Sequence, residues 1–231
     1  MRFWLEDSLD GVFYKGLPEY ASQVFVRVNS ERDLRRLRAI RDDRLSVWPL
    51  PYGYLSPKTI HYYMKWIPKI VDKYNVREIA LDVEFINPAY NAQFWEGLDF
   101  IVHRINRTTD VVVTIPPLYQ HYRKLQHLEV EKNIMVYISF FSKMGWAGRY
   151  VHDRLLLLAK HWLGKHGCTL SLGFFYKGRV TPLSEYVQYP SFTILNQMPR
   201  EVLTNSIIFS LDPIYNYSLD ESQLETLHHL L

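Results

Sequence analysis

The sequence predicts a single (β/α)8 barrel of the TIM type over residues 1–231. Three observations carry that expectation. Short runs rich in Val, Ile and aromatic residues recur along the chain, and most end on Pro, Asn, Asp or Ser, as strands do. Segments with a 3.6-residue apolar period fill many of the intervals, and such alternation makes parallel strands joined by crossover helices. The runs number eight, and neither a G-x-G-x-x-G after an early strand nor any G-x-x-x-x-G-K-[ST] marks an open nucleotide-binding sheet.

The strands are expected at RFWLED (2–7), VFVRVN (24–29), LSVWPL (45–50), REIALDVEF (77–85), DVVVTIP (110–116), IMVYISFF (134–141), TLSLGFFY (169–176) and SIIFSLDP (206–213). Between them, residues 58–74 place Ile60, Tyr63, Met64, Ile67, Ile70, Val71 and Tyr74 on one helical face, with Pro68 as a kink. Residues 91–105 do the same with Phe94, Trp95, Leu98, Ile101, Val102 and Ile105, and residues 149–163 with Val151, Leu155, Leu158, Ala159 and Trp162. Ser30 opens the helix SERDLRRLRAI, and Ser218 with Glu221 forms a capping box at the last one. The connections 8–23 and 178–205 carry no clear helical period.

Composition narrows the function. Hydrophobic content of 48% and charged content of 22% suit a globular core. A net charge of +3, with no basic run longer than RDLRRLR, argues for no nucleic-acid partner. Cys168 is the only cysteine, so an internal disulfide is excluded; the thiol reads as a small buried hydrophobe. Acids stand in the first eleven residues where a signal peptide needs its apolar core, and no 18-residue apolar window occurs. The expectation is no membrane partner, and a cytoplasmic protein or one exported without a signal peptide of the usual kind. Nothing in the sequence sets an oligomeric state.

Barrel sites sit at the C-terminal ends of the strands. Read there, the sequence offers Glu6, Arg27, Trp48, Tyr52, Asp82 with Glu84, Thr114, Tyr137, Tyr176 and Asp212. Aromatic faces stack on sugar rings and carboxylates bind sugar hydroxyls, so this set points to carbohydrate. Taken singly, each is also the ordinary polar end of a strand. Asp82 and Glu84 stand apart: residues two apart share a strand face. Ala80, Asp82 and Glu84 are therefore expected to face inward and Leu81, Val83 and Phe85 outward. Two such carboxylates raise one another's proton affinity, which yields an acid beside a base. The nine histidines fall mostly on helices and loops without H-x-H or H-E-x-x-H, so no metal and no cofactor is expected. A nucleophilic triad lacks its G-x-S-x-G, and Cys168 starts its strand rather than ending it.

These residues resemble the family 18 glycoside hydrolases, the chitinase group. IALDVEF is similar to the end of their D-x-x-D-x-D-x-E strand, with Glu78 and Ala80 in place of earlier acids. IMVYISF resembles M-x-Y-D through Met135 and Tyr137, with Ile138 where the last acid is expected. LGFFYKGR is similar to G-x-P-x-Y-G at Gly173 and Tyr176, and TIPP follows the fifth strand; LSVWPLPYG stands in place of S-x-G-G. A second resemblance is to the family 25 barrel lysozymes, through the LDxE of strand four, VFVRVNS, FSLDPIYN and a looser echo in LEDS.

The resemblance implies acid-assisted retaining hydrolysis of β-linked N-acetylhexosamine glycans such as chitin or peptidoglycan. Glu84, Asp82 and Tyr137 would be catalytic, and Trp48, Tyr52, Tyr176, Asp212, Glu6 and Arg27 would bind substrate. Two other readings stay open: a non-catalytic barrel that binds glycan or protein, and an enzyme of unrelated chemistry on a common scaffold.

Overall fold

The computed structural model describes residues 2–5, 17, 19, 21–83, 92–116, 119–137, 157, 168–173, 175–176, 179–180 and 205–209. The chain forms two compact units, Gln23–Asn133 and Met1–Ser22 with Ile134–Leu231.

In the first unit the order is β2 (Gln23–Val28), α1 (Glu31–Ile40), β3 (Leu45–Pro49), α2 (Ile60–Tyr74), β4 (Glu78–Asp82), α3 (Ala92–Ile105), β5 (Asp110–Ile115) and α4 (Tyr119–Leu125), following β1 (Arg2–Leu5) of the other unit. β2 pairs β3, β3 pairs β4 and β4 pairs β5, all parallel, so each intervening helix is a crossover.

The strands alternate cleanly. Val24, Val26 and Val28, Val47, Ile79, Leu81 and Val83, and Val111, Val113 and Ile115 fall on one face, and all are buried. The helices bring matching stripes: Leu34 and Leu37 on α1; Ile60, Tyr63, Ile67, Ile70 and Val71 on α2; Phe94, Trp95, Leu98, Ile101, Val102 and Ile105 on α3. A strand in a parallel sheet is buried on both sides. The aliphatic face takes the helices, which leaves the face carrying Asp82 as the inner one.

Local chemistry sets the helix ends. Ser30 is extended at φ −157°, and its Oγ accepts from the Asp33 N–H at 3.3 Å. Asp33 in turn accepts from the Ser30 hydroxyl at 2.9 Å and from the N–H of Asn29, the residue before the N-cap, at 3.0 Å, a reciprocal cap that resembles a capping box shifted by one residue. Both α1 and α2 stop on a left-handed residue, Arg41 and Asn75. α2 starts at Ile60 rather than 58, because the Thr59 side chain accepts from the Ser56 N–H at 3.0 Å and closes a turn first. Glu31 ties the two helices together by accepting from Lys69 at 2.8 Å, Lys73 at 2.5 Å and the Tyr74 hydroxyl at 3.0 Å.

β6 (Glu131–Tyr137) runs from the first unit into the second, which also holds β1, β7 (Thr169–Gly173) and β10 (Ile207–Phe209). β10 pairs both β1 and β7 in parallel. The buried Trp4 indole donates to the Ser171 hydroxyl at 2.8 Å, so the large ring keeps its polar edge satisfied. Cys168 is buried and takes part in no disulfide, as the sequence suggested.

One expected strand divides. The run 169–176 ends as a strand at Gly173, and β8 (Phe175–Tyr176) pairs antiparallel with β9 (Arg179–Val180). Tyr176 therefore does not close the seventh strand but sits on a separate two-stranded hairpin. The expected helices at 149–163 and from Ser218 lie outside the described residues, Leu157 excepted. The fold class is the α/β barrel: parallel strands alternating with helices.

Candidate active site

Register places four of the singled-out side chains on one face of Gln23–Asn133. Arg27 is the Cα partner of Trp48, and Asp82 of Thr114. Val47 pairs Ile79, which sets Trp48 beside Ala80, one pleat below Asp82. The pairing explains the small residue: an indole on one strand fits where its neighbour carries only a methyl. Trp48 is 1% exposed and Asp82 5%. Trp48 is thus a buried wall of this face and offers no ring to solvent, whereas Tyr52, in the loop after β3, is 43% exposed.

The backbone at Asp82 is fixed from both sides. Its carbonyl accepts from the Leu55 N–H at 3.0 Å, and the next amide, Val83, donates to the Thr114 carbonyl at 2.9 Å. Arg27 is half-buried and donates to Asn29 at 3.2 Å.

Tyr63 belongs to this neighbourhood too. Its hydroxyl donates to the carbonyl oxygens of Gly53 and, at 3.3 Å, Pro49. Burial pushes its acidity well below that of a free phenol, and the negative charge of Asp82 adds to the effect, while the Arg27 guanidinium works against it. The phenol therefore lies within the fields of both groups. Tyr63 also meets the Tyr52 ring edge-on at 5.6 Å, and Tyr52 packs on Tyr62 at 4.9 Å. The sequence placed Tyr63 in a helical core stripe; the signal available was a phenol in that stripe, since its hydroxyl needs a partner.

Glu84, Glu6 and Asp212 lie outside the described residues, and of Tyr137 and Tyr176 only the strand positions are described. Asp82, Trp48, Arg27 and Thr114 are the part of the expected set that shares a face. Among the described residues no three His, Cys, Asp or Glu groups gather to hold a metal, and no helix is long and apolar enough to cross a membrane.

Two clefts, of about 410 and 500 Å³, open at the opposite ends of these strands. Arg77, Glu78 and Asp110 line the first, and Asp110, Glu131 and Lys132 the second. These are N-terminal strand residues, so neither cleft reaches Asp82.

The sequence matches no protein-family model and no curated protein. Solved structures do match. The catalytic domain of a family GH18 chitinase from the fern Peteris ryukyuensis superposes with a TM-score of 0.59 at 12% identity, covering 99% of each chain. A protein from Streptomyces coelicolor, assigned as chitinase A, gives 0.54 at 9% identity, covering 99% of this chain and 97% of its own. The likeness is one of fold: the chain has an α/β barrel like that of these two chitinase structures.

Proposed function

We propose that the chain is a glycoside hydrolase acting on β-linked N-acetylhexosamine glycans, of the chitin or peptidoglycan type, through one barrel domain. The observation that carries this reading is Asp82. It is a buried carboxylate at the C-terminal end of a barrel strand, on the inner face, in a chain with a chitinase-like fold. Burying a carboxylate is costly, and a barrel strand end is where such a cost serves chemistry.

In this reading Glu84, two residues on, protonates the glycosidic oxygen. The sugar's own 2-acetamido oxygen attacks the anomeric carbon, the substrate-assisted variant of retaining hydrolysis. Asp82 orients the acetamide and offsets its developing positive charge, and Tyr137 hydrogen-bonds to it. Tyr52 and Tyr176 supply stacking faces, Trp48 backs the acid, and Arg27, Glu6 and Asp212 bind hydroxyls. The scheme uses no metal and no cofactor, and its partner is the glycan rather than nucleic acid or membrane.

A second reading, a non-catalytic barrel that binds glycan or protein, is favoured by two departures from the family's pattern: Ile138 stands where M-x-Y-D has an acid, and S-x-G-G is missing. Incubation with N-acetylglucosamine oligomers separates the two. Cleavage that disappears in Glu84→Gln supports the hydrolase, binding without cleavage selects the binder, and neither binding nor cleavage overturns the glycan reading.

A further inference from the structure

The proposed scheme assigns no work to the fifth strand, yet the structure puts an unusual group there. Thr114 is 1% exposed, and among the described residues its hydroxyl is buried without a hydrogen-bond partner. Native interiors rarely leave a hydroxyl in that condition, because it has given up water for nothing. Valine would fill the same space without the penalty.

Its neighbour across the ladder is Asp82. The two are Cα partners in parallel strands, so both side chains leave the sheet on one face from backbones about 4.8 Å apart. A carboxylate has about four lone-pair sites and accepts several donors at once. Asp82 therefore has capacity for a further donor whatever else it binds. Rotation about the threonine Cα–Cβ bond carries the hydroxyl between staggered positions without moving the strand. Donor and acceptor are complementary, adjacent and shielded from water, where a charge-assisted hydrogen bond is strongest.

We propose that Thr114 is a positioning residue for Asp82: after rotation about its Cα–Cβ bond its hydroxyl donates to the Asp82 carboxylate and holds it in the orientation that the acetamide requires. The proposal rests on the reading of Asp82 given above. It assigns Thr114 no contact with the sugar. Thr114 acts through the carboxylate alone.

The test compares Thr114→Val, which keeps the shape and removes the hydroxyl, with Thr114→Ser, which restores a hydroxyl. The Asp82 carboxyl is followed by NMR pH titration in the full chain. Losing a donor disfavours the charged form, so Asp82 should titrate at higher pH in Thr114→Val and near the native value in Thr114→Ser. Turnover of an N-acetylglucosamine hexamer should fall several-fold in kcat with KM unchanged in Thr114→Val. In an Asp82→Asn background the same change should add no further loss. An Asp82 titration identical in the native chain and Thr114→Val overturns the proposal, as do losses that multiply in the double variant. A native chain that neither binds nor cleaves the hexamer sinks the glycan reading instead, and the titration then still decides whether Thr114 serves Asp82.

Discussion

The Tyr63 hydroxyl, on the first turn of α2, donates to the carbonyl oxygen of Gly53, the residue after Tyr52 in the loop leaving β3. A buried helix residue thereby anchors the loop that exposes Tyr52. Tyr63→Phe keeps the ring and removes this donor, so it should cost about 1 kcal/mol, the usual net value of one hydrogen bond. Urea unfolding should show a lower midpoint at an unchanged slope. If Tyr52 is a sugar platform, glycan affinity should drop with it; affinity that stays constant would detach Tyr52 from the site.

Glu84→Gln retains shape but has no proton to transfer. Cleavage of chitin-type oligomers should fall by ~10²-fold or more, the scale expected for a lost general acid, with binding nearly intact. Asp82→Asn should also lower turnover, by misplacing the acetamide. Steady-state kinetics paired with calorimetric titration read both, and an active Glu84→Gln protein removes Glu84 from the mechanism.

Glu31 offers a pH dependence whose sign can be stated in advance. Hydrogen bonds from Lys69, then Lys73 and Tyr74, lower its pKa from 4.5 to about 2. The folded state therefore favours the ionised form. Its contribution is fully present above pH 4.5 and is lost as the pH falls toward 2. Melting temperatures of the native chain and Glu31→Gln should differ most near neutrality and converge near pH 2. The group lies at the surface, so added salt should shrink the difference. A gap that persists at pH 2 would mean that the glutamate acts through packing rather than charge.

Gly97 sits where α2 and α3 meet. A Cβ there would lie 2.6 Å from Ile60 Cγ1 and 3.1 Å from the Met64 sulfur. Alanine would gain about 1 kcal/mol of helix propensity, but forcing a branched side chain out of a packed core costs about 1–3 kcal/mol. Overpacking should win, giving Gly97→Ala a lower melting temperature. A stabilised variant would show that Ile60 yields easily.

The parts that a sequence shows well are those set by local periodicity. The stripes on α2 and α3 and the valine-rich strands needed only spacing, and the inner position of Asp82 followed from alternation with Ala80. Depth was not readable. Trp48 and Tyr52 lie four residues apart with similar chemistry, yet one is buried and the other exposed, because cover is decided by neighbouring strands and loops. The run TLSLGFFY read as one strand, since its residues all suit a sheet; where its ladder ends depends on the pairing partner, which lies outside the run. Tyr63 and Thr114 passed as a core ring and a strand end. Only three-dimensional neighbours give a hydroxyl its role.

The hydrogen bond from the Leu55 amide to the Asp82 carbonyl has a mechanical consequence. The segment that carries Tyr52 and the strand end that carries Asp82 are stitched together by main chain, and Val83 extends the stitch to β5. A swing of that segment away from the barrel mouth would have to break the main-chain hydrogen bond at Asp82 itself. Opening at Tyr52 and loosening at Asp82 are then a single event, and deuterium should enter the Leu55 and Val83 amides together and at similar rates.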